Sequence, residues 1–222
     1  VFLFANGIPA IGKIGVFQFL AGEKWKPGND LYGILPMILG SIYVTAGAVI
    51  IGVPIGILTA VFMSKFCPRH IYKVVKPAID LLAGIPSVVY GFFGMVVIVP
   101  VVSQLFGGSG KSMATASVLL GIMILPTIIG VSESAINAVP SSYYEGALAL
   151  GASHERSVFF ATLPAAKSGI LAGVILGVGR AIGETKAVIM VAGNQARMPK
   201  GLFQRVRNMP AYIVKEIANA TH

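Results

Sequence analysis

Four runs of apolar residues restrict what this 222-residue chain can fold into. The runs cover about 37–63, 78–106, 113–137 and 168–193. A helix needs ~20 predominantly apolar residues to cross the roughly 30 Å hydrocarbon layer of a bilayer, so each run is long enough. The pattern therefore predicts a single all-α transmembrane domain over 1–222 with four complete spans.

The composition supports lipid as the solvent for this chain. Hydrophobic residues make up 55% and charged residues 11%, which is too little charge to solvate a globular surface of this size. The net charge of +9 would suggest nucleic acid in a soluble protein. However, the charges lie between apolar runs without an aromatic–basic recognition module. One cysteine cannot form an internal disulfide, and the scattered His70, His154 and His222 do not suggest a metal site, so we interpret them as incidental.

Proline and glycine positions within the runs indicate how the helices pack. Pro54, Pro86, Pro100 and Pro126 lie inside the runs, and membrane helices tolerate such kinks where neighbours satisfy the freed carbonyl groups. Glycines also recur four residues apart, a spacing that lets helix backbones approach closely. We interpret them as packing positions; the pairs are Gly52/Gly56, Gly173/Gly177 and Gly179/Gly183.

The segment between the third and fourth runs is polar and carries a motif. It reads EGALALGASHERSVFFATLP over 145–164, inside a loop of about 138–167. The order of residues predicts a short helix, a break at Gly151 and a second helix stopped by Leu163-Pro164. A charged insert between two apolar runs is expected to be a cytoplasmic loop with a function.

That motif resembles the coupling loop of ABC-transporter permeases, whose signature is Glu-Ala-Ala, then Gly, then Leu-Pro. Two positions depart from the signature, because Gly146 stands where an Ala is usual and Ala161 where an Ile is usual. The glutamate, the glycine and the Leu-Pro pair are retained. The resemblance implies that a separate ATPase docks on this segment, through Glu145, Gly146, Ala147, Gly151, Leu163 and Pro164.

Lys and Arg counts do not settle the orientation of the spans. The loop 64–77 holds four basic residues and is a good cytoplasmic candidate, but the opposite side is more basic. The resemblance of 145–164 to a coupling loop therefore decides, and it places both loops in the cytoplasm. A basic outer side would suit an anionic substrate. Its basic residues are Lys13, Lys24, Lys26, Lys111, Arg197, Lys200, Arg205, Arg207 and Lys215.

The run GGSGKS at 107–112 ends like a phosphate-cradling nucleotide loop. The complete motif has a glycine where Leu105 stands, and it needs a buried strand before it and a soluble helix after it. Here the run is a short hairpin between two predicted membrane spans. We therefore expect this chain to bind no ATP, and any ATPase to be a separate polypeptide.

Arg180, Glu184 and Lys186 lie inside the fourth apolar run. Charges in a membrane cost ~3 kcal/mol or more on insertion scales, so they usually pair or face a water-filled path. Arg180 and Glu184 are four residues apart and can form a pair on one helix face, with Gly173 and Gly177 on the same face. Such a pair can lock two helices together. Alternatively it forms an anion site, because a guanidinium presents a planar donor fork suited to phosphate or another oxyanion.

Longer stretches make the resemblance more specific. The chain is similar to the phosphate-specific ABC permeases over nearly its whole length, most clearly at GIPSVVYGFFG (84–94), 125–153 and 163–188. Within the last stretch, the string Gly-Arg-Ala-Ile-Gly-Glu-Thr at 179–185 is the part distinctive for phosphate. The resemblance implies that Arg180 and Glu184 are the intramembrane transport residues.

The resemblance also implies a fold and a set of partners. The fold would be an all-α helical bundle like that of type I ABC importer permeases, truncated at both ends because family members carry six core spans. In a bacterial plasma membrane, an extracytoplasmic phosphate-binding protein would deliver the anion. This chain and a second permease subunit would form the path, and an ATPase dimer would drive alternating access. The ATPase would hold ATP and Mg²⁺, and this chain would bind no cofactor and catalyse no reaction.

Other functions stay open at this point. A permease for another oxyanion or small solute would share the coupling loop without needing Arg180 and Glu184. A proton-driven secondary transporter could use Glu184 as a proton relay. An intramembrane enzyme is a weaker alternative, because no apolar run contains a histidine.

Other polar residues near the predicted cytoplasmic ends of the spans have structural interpretations. Asp80 and Glu133 can reach water or a loop lysine there, so we expect them to anchor helix ends. Tyr143 and Tyr144 suit the headgroup level or packing within the loop.

Overall fold

The computed structural model describes the chain at residues 12, 15–26, 31–193, 204–206 and 208–219. Several basic residues predicted for the outer side lie outside the described residues; they are Lys13, Arg197, Lys200 and Arg207. The side chains of Lys26 and Lys215 are also outside the described part of the chain.

The described residues divide into two compact units that interleave along the sequence. The first unit takes described residues from Val1–Ala46, Ser87–Leu119 and Glu184–His222. The second unit comprises Gly47–Pro86 and Leu120–Gly183. Two long helices pass from one unit into the other.

Helices make up almost all of the described chain. In chain order they are α1 (Val16–Ala21), α2 (Leu35–Val61), α3 (Arg69–Gly84), α4 (Ser87–Phe93), α5 (Val99–Phe106), α6 (Met113–Asn137), α7 (Ser141–Ala149), α8 (His154–Ser157), α9 (Leu163–Gly183), α10 (Lys186–Val191) and α11 (Met209–Asn219). Turns of π-helix extend or join some of them, at Phe62–Phe66, Gly94–Ile98 and Val158–Thr162. Strands β1 (Trp25–Lys26) and β2 (Leu31–Tyr32) pair antiparallel.

Among the described residues, four helical segments are long and apolar enough to cross a membrane. They are Leu35–Phe66, Ser87–Phe106, Met113–Asn137 and His154–Gly183. The first and third lie close to the apolar runs seen in the sequence. The second begins later than expected from 78–106, because α3 ends at Gly84 and the chain passes through extended Ile85 before Pro86.

The fourth segment differs most from the run at 168–193. It already begins at His154, and it ends at Gly183. The expectation that Leu163-Pro164 stops a helix is wrong, because α9 starts at Leu163 directly after a π-helical turn. Pro164 is the second residue of α9, in a first turn, where the missing N–H of proline is tolerated.

Close helix packing in the second unit depends on glycines of α2. A Cβ placed on Gly52 would lie 2.8 Å from Ile124 of α6, and one on Gly56 would lie 2.8 Å from Ile128. Both distances are shorter than real Cβ contacts, so a side chain at either position would require the isoleucine to shift. The packing interpretation of the Gly52/Gly56 pair is confirmed.

Helix α9 also approaches α6 closely through its glycines. A Cβ on Gly177 would lie 2.8 Å from Ile128, and one on Gly173 would lie 3.1 Å from Ser132 Oγ. The packing interpretation is therefore confirmed for this pair as well. It is wrong for Gly179 and Gly183 as far as the structure describes the chain, because no described atom lies within 4 Å of a Cβ position there.

In the first unit, α10 packs against α4. A Cβ on Gly91 would lie 2.7 Å from Met190 Sδ and 3.0 Å from Ala187 Cα. Ala187, Val188 and Val191 of α10 are fully buried. Packing therefore fixes the position of this short helix. It also limits the positions of Glu184 and Thr185, which directly precede it.

Candidate functional site

Arg180 lies in the last turn of α9, within the second unit. Its side chain is half-buried, and Nη1 donates a hydrogen bond to Thr127 Oγ1 of α6 at 3.2 Å. The next residue, Ala181, is 2% exposed and packs with Ile124 and Ile128. A cation is also favoured near the carbonyl groups that end a helix. Packing and this hydrogen bond hold the guanidinium beside α6.

The charge of Arg180 has no acidic partner in the part of the chain that the structure describes. The ion pairs found there join Lys76 to Asp80 and to Glu133. A guanidinium has five N–H donors, and the bond to the neutral Thr127 hydroxyl uses one of them. This arrangement leaves the positive charge available to an oxyanion, which the guanidinium can grip through two parallel hydrogen bonds.

Glu184 lies after the end of α9 and belongs to the first unit. Its Oε1 accepts a hydrogen bond from the backbone N–H of Ala187 at 3.1 Å, in the first turn of α10. A carboxylate in this place satisfies an unpaired helical N–H and interacts favourably with the helix dipole. Because α9 stops at Gly183, Arg180 and Glu184 do not lie on one continuous helix, and the predicted same-face pair is wrong. Lys186, the first residue of α10, is exposed.

Glu133 on α6 is the most deeply buried carboxylate described, at 3% exposure. Tyr72 OH donates to Glu133 Oε1 at 2.6 Å, and Lys76 Nζ donates to Oε2 at 2.8 Å. Lys76 also lies 3.9 Å from Asp80, one turn later on α3. The expectation of a lysine anchor is confirmed for Glu133, although Lys76 lies on helix α3 and not in a loop.

The contacts of Glu133 also change the acid–base behaviour of its partners. The hydrogen bond to Glu133 raises the pKa of Lys76 above its usual 10.5, because ionised lysine is stabilised by the carboxylate. The same carboxylate raises the pKa of Tyr72 above 10.0, since the bond holds the phenolic proton. Both residues lie on α3, outside the candidate membrane spans. Lys76 neutralises the buried charge of Glu133, which is typical of a structural anchor.

The proposed coupling segment contains a sharp helix end at Gly151. Gly151 has φ of +84°, and its N–H donates to Leu148 O at 2.8 Å. The N–H of Ala152 donates to Ala147 O at 3.1 Å. These two bonds form a Schellman motif, in which the residue after the helix takes a left-handed conformation that glycine adopts without strain. The predicted glycine break is therefore confirmed.

Helix α7 presents Glu145 and Gly146 to solvent, and Ala147 is half-buried. Among the described residues, the carboxylate of Glu145 has no hydrogen-bond or ion-pair partner. Exposed apolar side chains follow, Leu148 at 40% and Leu150 at 91%. Beside them is an open cavity of about 400 Å³, lined by Ala147, Ala152, Arg156, Phe160 and Ala161. An unpartnered carboxylate next to exposed apolar residues is typical of a surface that another protein covers.

Leu163 and Pro164 occupy the first turn of α9 rather than a separate helix end. Leu163 packs on the buried cluster that contains Val158 and Ala166, while Pro164 is exposed. The Leu-Pro pair therefore connects the coupling segment to the span that carries Arg180.

Sequence reasoning missed some of these contacts. Thr127 was not singled out, although a polar residue directly after Pro126 in an apolar run was an available signal. Tyr72 was missed because its partner lies 61 residues away in the sequence. His154 was interpreted as incidental, and it has several contacts in the structure.

Comparison with known proteins identifies relatives of the whole chain. The family model described as "Binding-protein-dependent transport system inner membrane component" matches residues 52–214, which is more than half of the chain. A probable ABC transporter permease protein of Bacillus subtilis, YqgH, is 37% identical over 100% of this chain and 74% of its own length. The phosphate transport system permease protein PstC of Mesorhizobium japonicum is 34% identical over 98% of this chain and 72% of its own length.

Similarity extends to an archaeal relative and to a solved structure. A probable phosphate transport system permease protein PstC of Methanocaldococcus jannaschii is 32% identical over 99% of this chain and 76% of its own length. The crystal structure of an amino acid ABC transporter with histidines superposes with a TM-score of 0.57 at 21% identity. The match covers 85% of this chain and 78% of that chain, so the two share a fold.

Proposed function

The chain belongs to the family of binding-protein-dependent transport system inner membrane components, and on that basis we propose that it is a permease subunit of an ATP-driven importer of inorganic phosphate. It is an all-α, multi-pass membrane protein with the fold of ABC importer permeases of type I. The proposal concerns the solute, the residues that contact it and the partners.

Two lines of support favour phosphate as the solute. Relatives named as phosphate transport permeases align with nearly all of this chain, from bacteria and from an archaeon. The observation that carries the proposal is Arg180, a guanidinium on a membrane-spanning helix whose described partner is the neutral hydroxyl of Thr127. A planar donor fork matches the geometry of a phosphate group, and the desolvation cost of such a charge is offset when an anion binds.

Glu184 is assigned as a second translocation residue. It lies in the non-helical break between α9 and α10, where its carboxylate accepts from the N–H of Ala187. A carboxylate can accept a hydrogen bond from a protonated phosphate oxygen, which sulfate lacks at neutral pH. The residue would thereby favour monohydrogen or dihydrogen phosphate over fully deprotonated oxyanions.

The coupling surface is assigned to α7 and the turn that follows it. Glu145, Gly146 and Ala147 would contact the ATPase, because Glu145 is exposed and has no described partner. Gly151 sets the direction in which the chain leaves α7. Leu163 and Pro164 would transmit a displacement of this segment into α9, which carries Arg180.

The proposed assembly places the cofactor on a partner. An ATPase dimer would bind ATP and Mg²⁺, and this chain would bind neither. A second permease subunit would complete the path, and an extracytoplasmic phosphate-binding protein would deliver the anion at the bacterial plasma membrane. Coupling requires that two conformations of the permease differ in their affinity for the anion.

The test is ATP-dependent uptake of labelled phosphate by the complete transporter in proteoliposomes, with sulfate and molybdate as competitors. We expect uptake by wild type, loss of uptake in Arg180→Gln, and ATP hydrolysis without uptake in Glu145→Ala. Preferred uptake of another oxyanion would reject phosphate as the solute. Uptake driven by a proton gradient without ATP would reject the ATP-driven mechanism.

A further inference from the structure

His154, the first residue of α8, is held by contacts from separate segments of the second unit. Its Nδ1 lies 2.8 Å from the hydroxyl of Tyr144 on α7. Its ring meets the ring of Phe66 edge-on, with centroids 4.9 Å apart and an angle of 72° between the planes. The Tyr144 ring also meets the His154 ring edge-on at 5.7 Å.

Each of these residues belongs to a different functional part of the unit. Phe66 is the last residue of the first candidate span, Leu35–Phe66, and its ring lies 6.3 Å from that of Phe159. His154 begins the span that ends at Gly183. Tyr144 precedes Glu145 on the proposed coupling helix. The imidazole therefore connects the coupling helix to the ends of two spans.

The backbone around His154 is also well defined. Ser153 caps α8, because its hydroxyl accepts from the N–H of Arg156 at 3.4 Å and its carbonyl accepts from Ser157 Oγ at 2.9 Å. The Schellman motif at Gly151 ends α7 two residues earlier. Only Ala152 and Ser153 separate Gly151 from His154. This connection is too short to let His154 move freely.

The hydrogen bond to Tyr144 has a direct consequence for Glu145. Adjacent residues on a helix point about 100° apart, so a contact that fixes Tyr144 also fixes the direction of Glu145. Tyr144 is half-buried against the unit, whereas Glu145 is exposed. Among the described residues, α7 packs mainly on α8 and on the turn Val158–Thr162. The rotation of α7 about its own axis therefore depends on its contacts with these two neighbouring elements.

We infer that Tyr144 and His154 are positioning residues for coupling, which hold α7 in the rotation that presents Glu145 to the ATPase and link it to Phe66. This inference rests on the proposed function, because it concerns the surface assigned to the ATPase. The hydrogen bond supplies the specificity, since edge-on ring contacts alone tolerate rotation of a ring about its axis.

The first experiment compares tyrosine variants in the complete transporter in proteoliposomes. Tyr144→Phe removes the hydroxyl and keeps the ring. We expect the number of phosphate ions imported per ATP hydrolysed to fall about five-fold, the factor by which an ordinary hydrogen bond shifts an equilibrium. The KM for phosphate should not change. Tyr143→Phe is the matched control, because Tyr143 is the preceding residue, is 53% exposed, and should behave as wild type.

A second variant tests whether the loss comes from the hydrogen bond. His154→Phe keeps an aromatic ring beside Phe66 and removes the same bond. Combined with Tyr144→Phe, it should lower the transport ratio no further than either single variant, because both remove one interaction. Additive losses would overturn the inference, as would a Tyr144→Phe ratio equal to that of wild type. A purely structural role would reduce the amount of assembled complex and leave the ratio unchanged.

A third measurement needs no ATPase and applies to the full chain in nanodiscs. The protein contains three histidines, so ¹⁵N-histidine labelling gives a simple spectrum, in which His154→Asn identifies the signal of His154. We expect Tyr144→Phe to shift the His154 Nδ1 resonance and Tyr143→Phe to leave it in place. An unshifted resonance would overturn the inference.

The outcomes separate this inference from the proposed function. If wild type imports another solute, the proposed function fails, and the same ratio is then measured for that solute. If wild type couples ATP hydrolysis to phosphate uptake and Tyr144→Phe matches Tyr143→Phe, the positioning inference alone fails.

Discussion

Glu133 and Arg180 are both ionisable residues on membrane-spanning helices of the second unit, and their surroundings differ. Glu133 is 3% exposed and accepts short hydrogen bonds from Lys76 and Tyr72. Arg180 is half-buried, and its described partner is the hydroxyl of Thr127 at 3.2 Å. Among the described residues, the charge of Glu133 has a neutralising partner and the charge of Arg180 does not.

The difference separates a charge that holds helices together from one that can receive a ligand. A buried carboxylate with a lysine and a tyrosine accepts a hydrogen bond at each oxygen and has its charge balanced. A guanidinium beside a neutral hydroxyl retains both donors and charge. Substitutions at the two sites should therefore have different effects. Disrupting the contacts of Glu133 should lower stability, whereas replacing Arg180 should lower transport.

The largest expected effect is on stability. Lys76→Ala leaves Glu133 buried without its cationic partner, so we expect a loss of about 3 kcal/mol in the free energy of unfolding. The measurement is thermal unfolding of the purified chain in nanodiscs. Lys73→Ala is the control, because Lys73 is exposed on the same helix and has no ion pair among the described residues. Equal unfolding temperatures for the two variants would mean that the Glu133 cluster is not an anchor.

Changes at Arg180 should affect transport more than folding. We expect Arg180→Gln to lower phosphate uptake about 30-fold, in the range of a lost charged hydrogen bond. Arg180→Lys should be intermediate, because it keeps the charge and loses the planar fork. Uptake at several phosphate concentrations checks this order, with unfolding temperature measured in parallel. If both variants unfold early and import normally, Arg180 has the same structural role as Glu133.

The sequence predicted best those features that depend on neighbouring residues. Apolar runs predicted four spans, because hydropathy depends on consecutive residues, and the resemblance to ABC permeases is confirmed by the relatives. The break at Gly151 was also predictable, since a glycine after a short helix is a local signal. Spacing alone predicted that Gly52 and Gly56 are packing positions, but it did not reveal that they pack against α6.

Irregularities within the helices were less accessible from the sequence. The expectation that Leu163-Pro164 stops a helix failed because a π-helical turn at Val158–Thr162 leads directly into α9, which begins at Leu163. No residue pattern in the sequence predicts that turn. The Arg180–Glu184 pair assumed a continuous helix, whereas α9 ends at Gly183. The roles proposed for Arg180, Glu184 and Glu145 stay predictions.

A smaller effect is expected from the residue that holds Arg180. Thr127→Val has nearly the same shape and removes the hydroxyl that accepts from Nη1. We expect phosphate uptake to fall about three-fold, because a hydrogen bond to a neutral hydroxyl contributes little free energy. Its role would be to orient the guanidinium of Arg180. Thr127→Ser keeps the hydroxyl and should retain near wild-type uptake. If Thr127→Ser fails as badly as Thr127→Val, the side-chain methyl matters and the hydrogen bond does not position Arg180.

The smallest expected effect is a shift in the titration of Tyr72. The folded-state pKa of Tyr72 is raised above 10.0 by its hydrogen bond to Glu133, so this bond contributes stability that is fully present below pH 10.0. That contribution is lost as the pH rises through the folded-state pKa. Tyrosinate absorbance near 295 nm, taken as the difference between wild type and Tyr72→Phe, reports this residue among the seven tyrosines.

Glu133→Gln provides the control for that titration. It removes the negative charge next to the phenol and keeps an acceptor, so the pKa of Tyr72 should return toward its ordinary range. Arg180→Gln should leave the titration of Tyr72 unchanged, because the described contacts of the guanidinium do not include the Glu133 cluster. A Tyr72 that ionises together with exposed tyrosines in wild type would mean that the carboxylate does not hold its proton, and the contrast between the two charges would then rest on Lys76 alone.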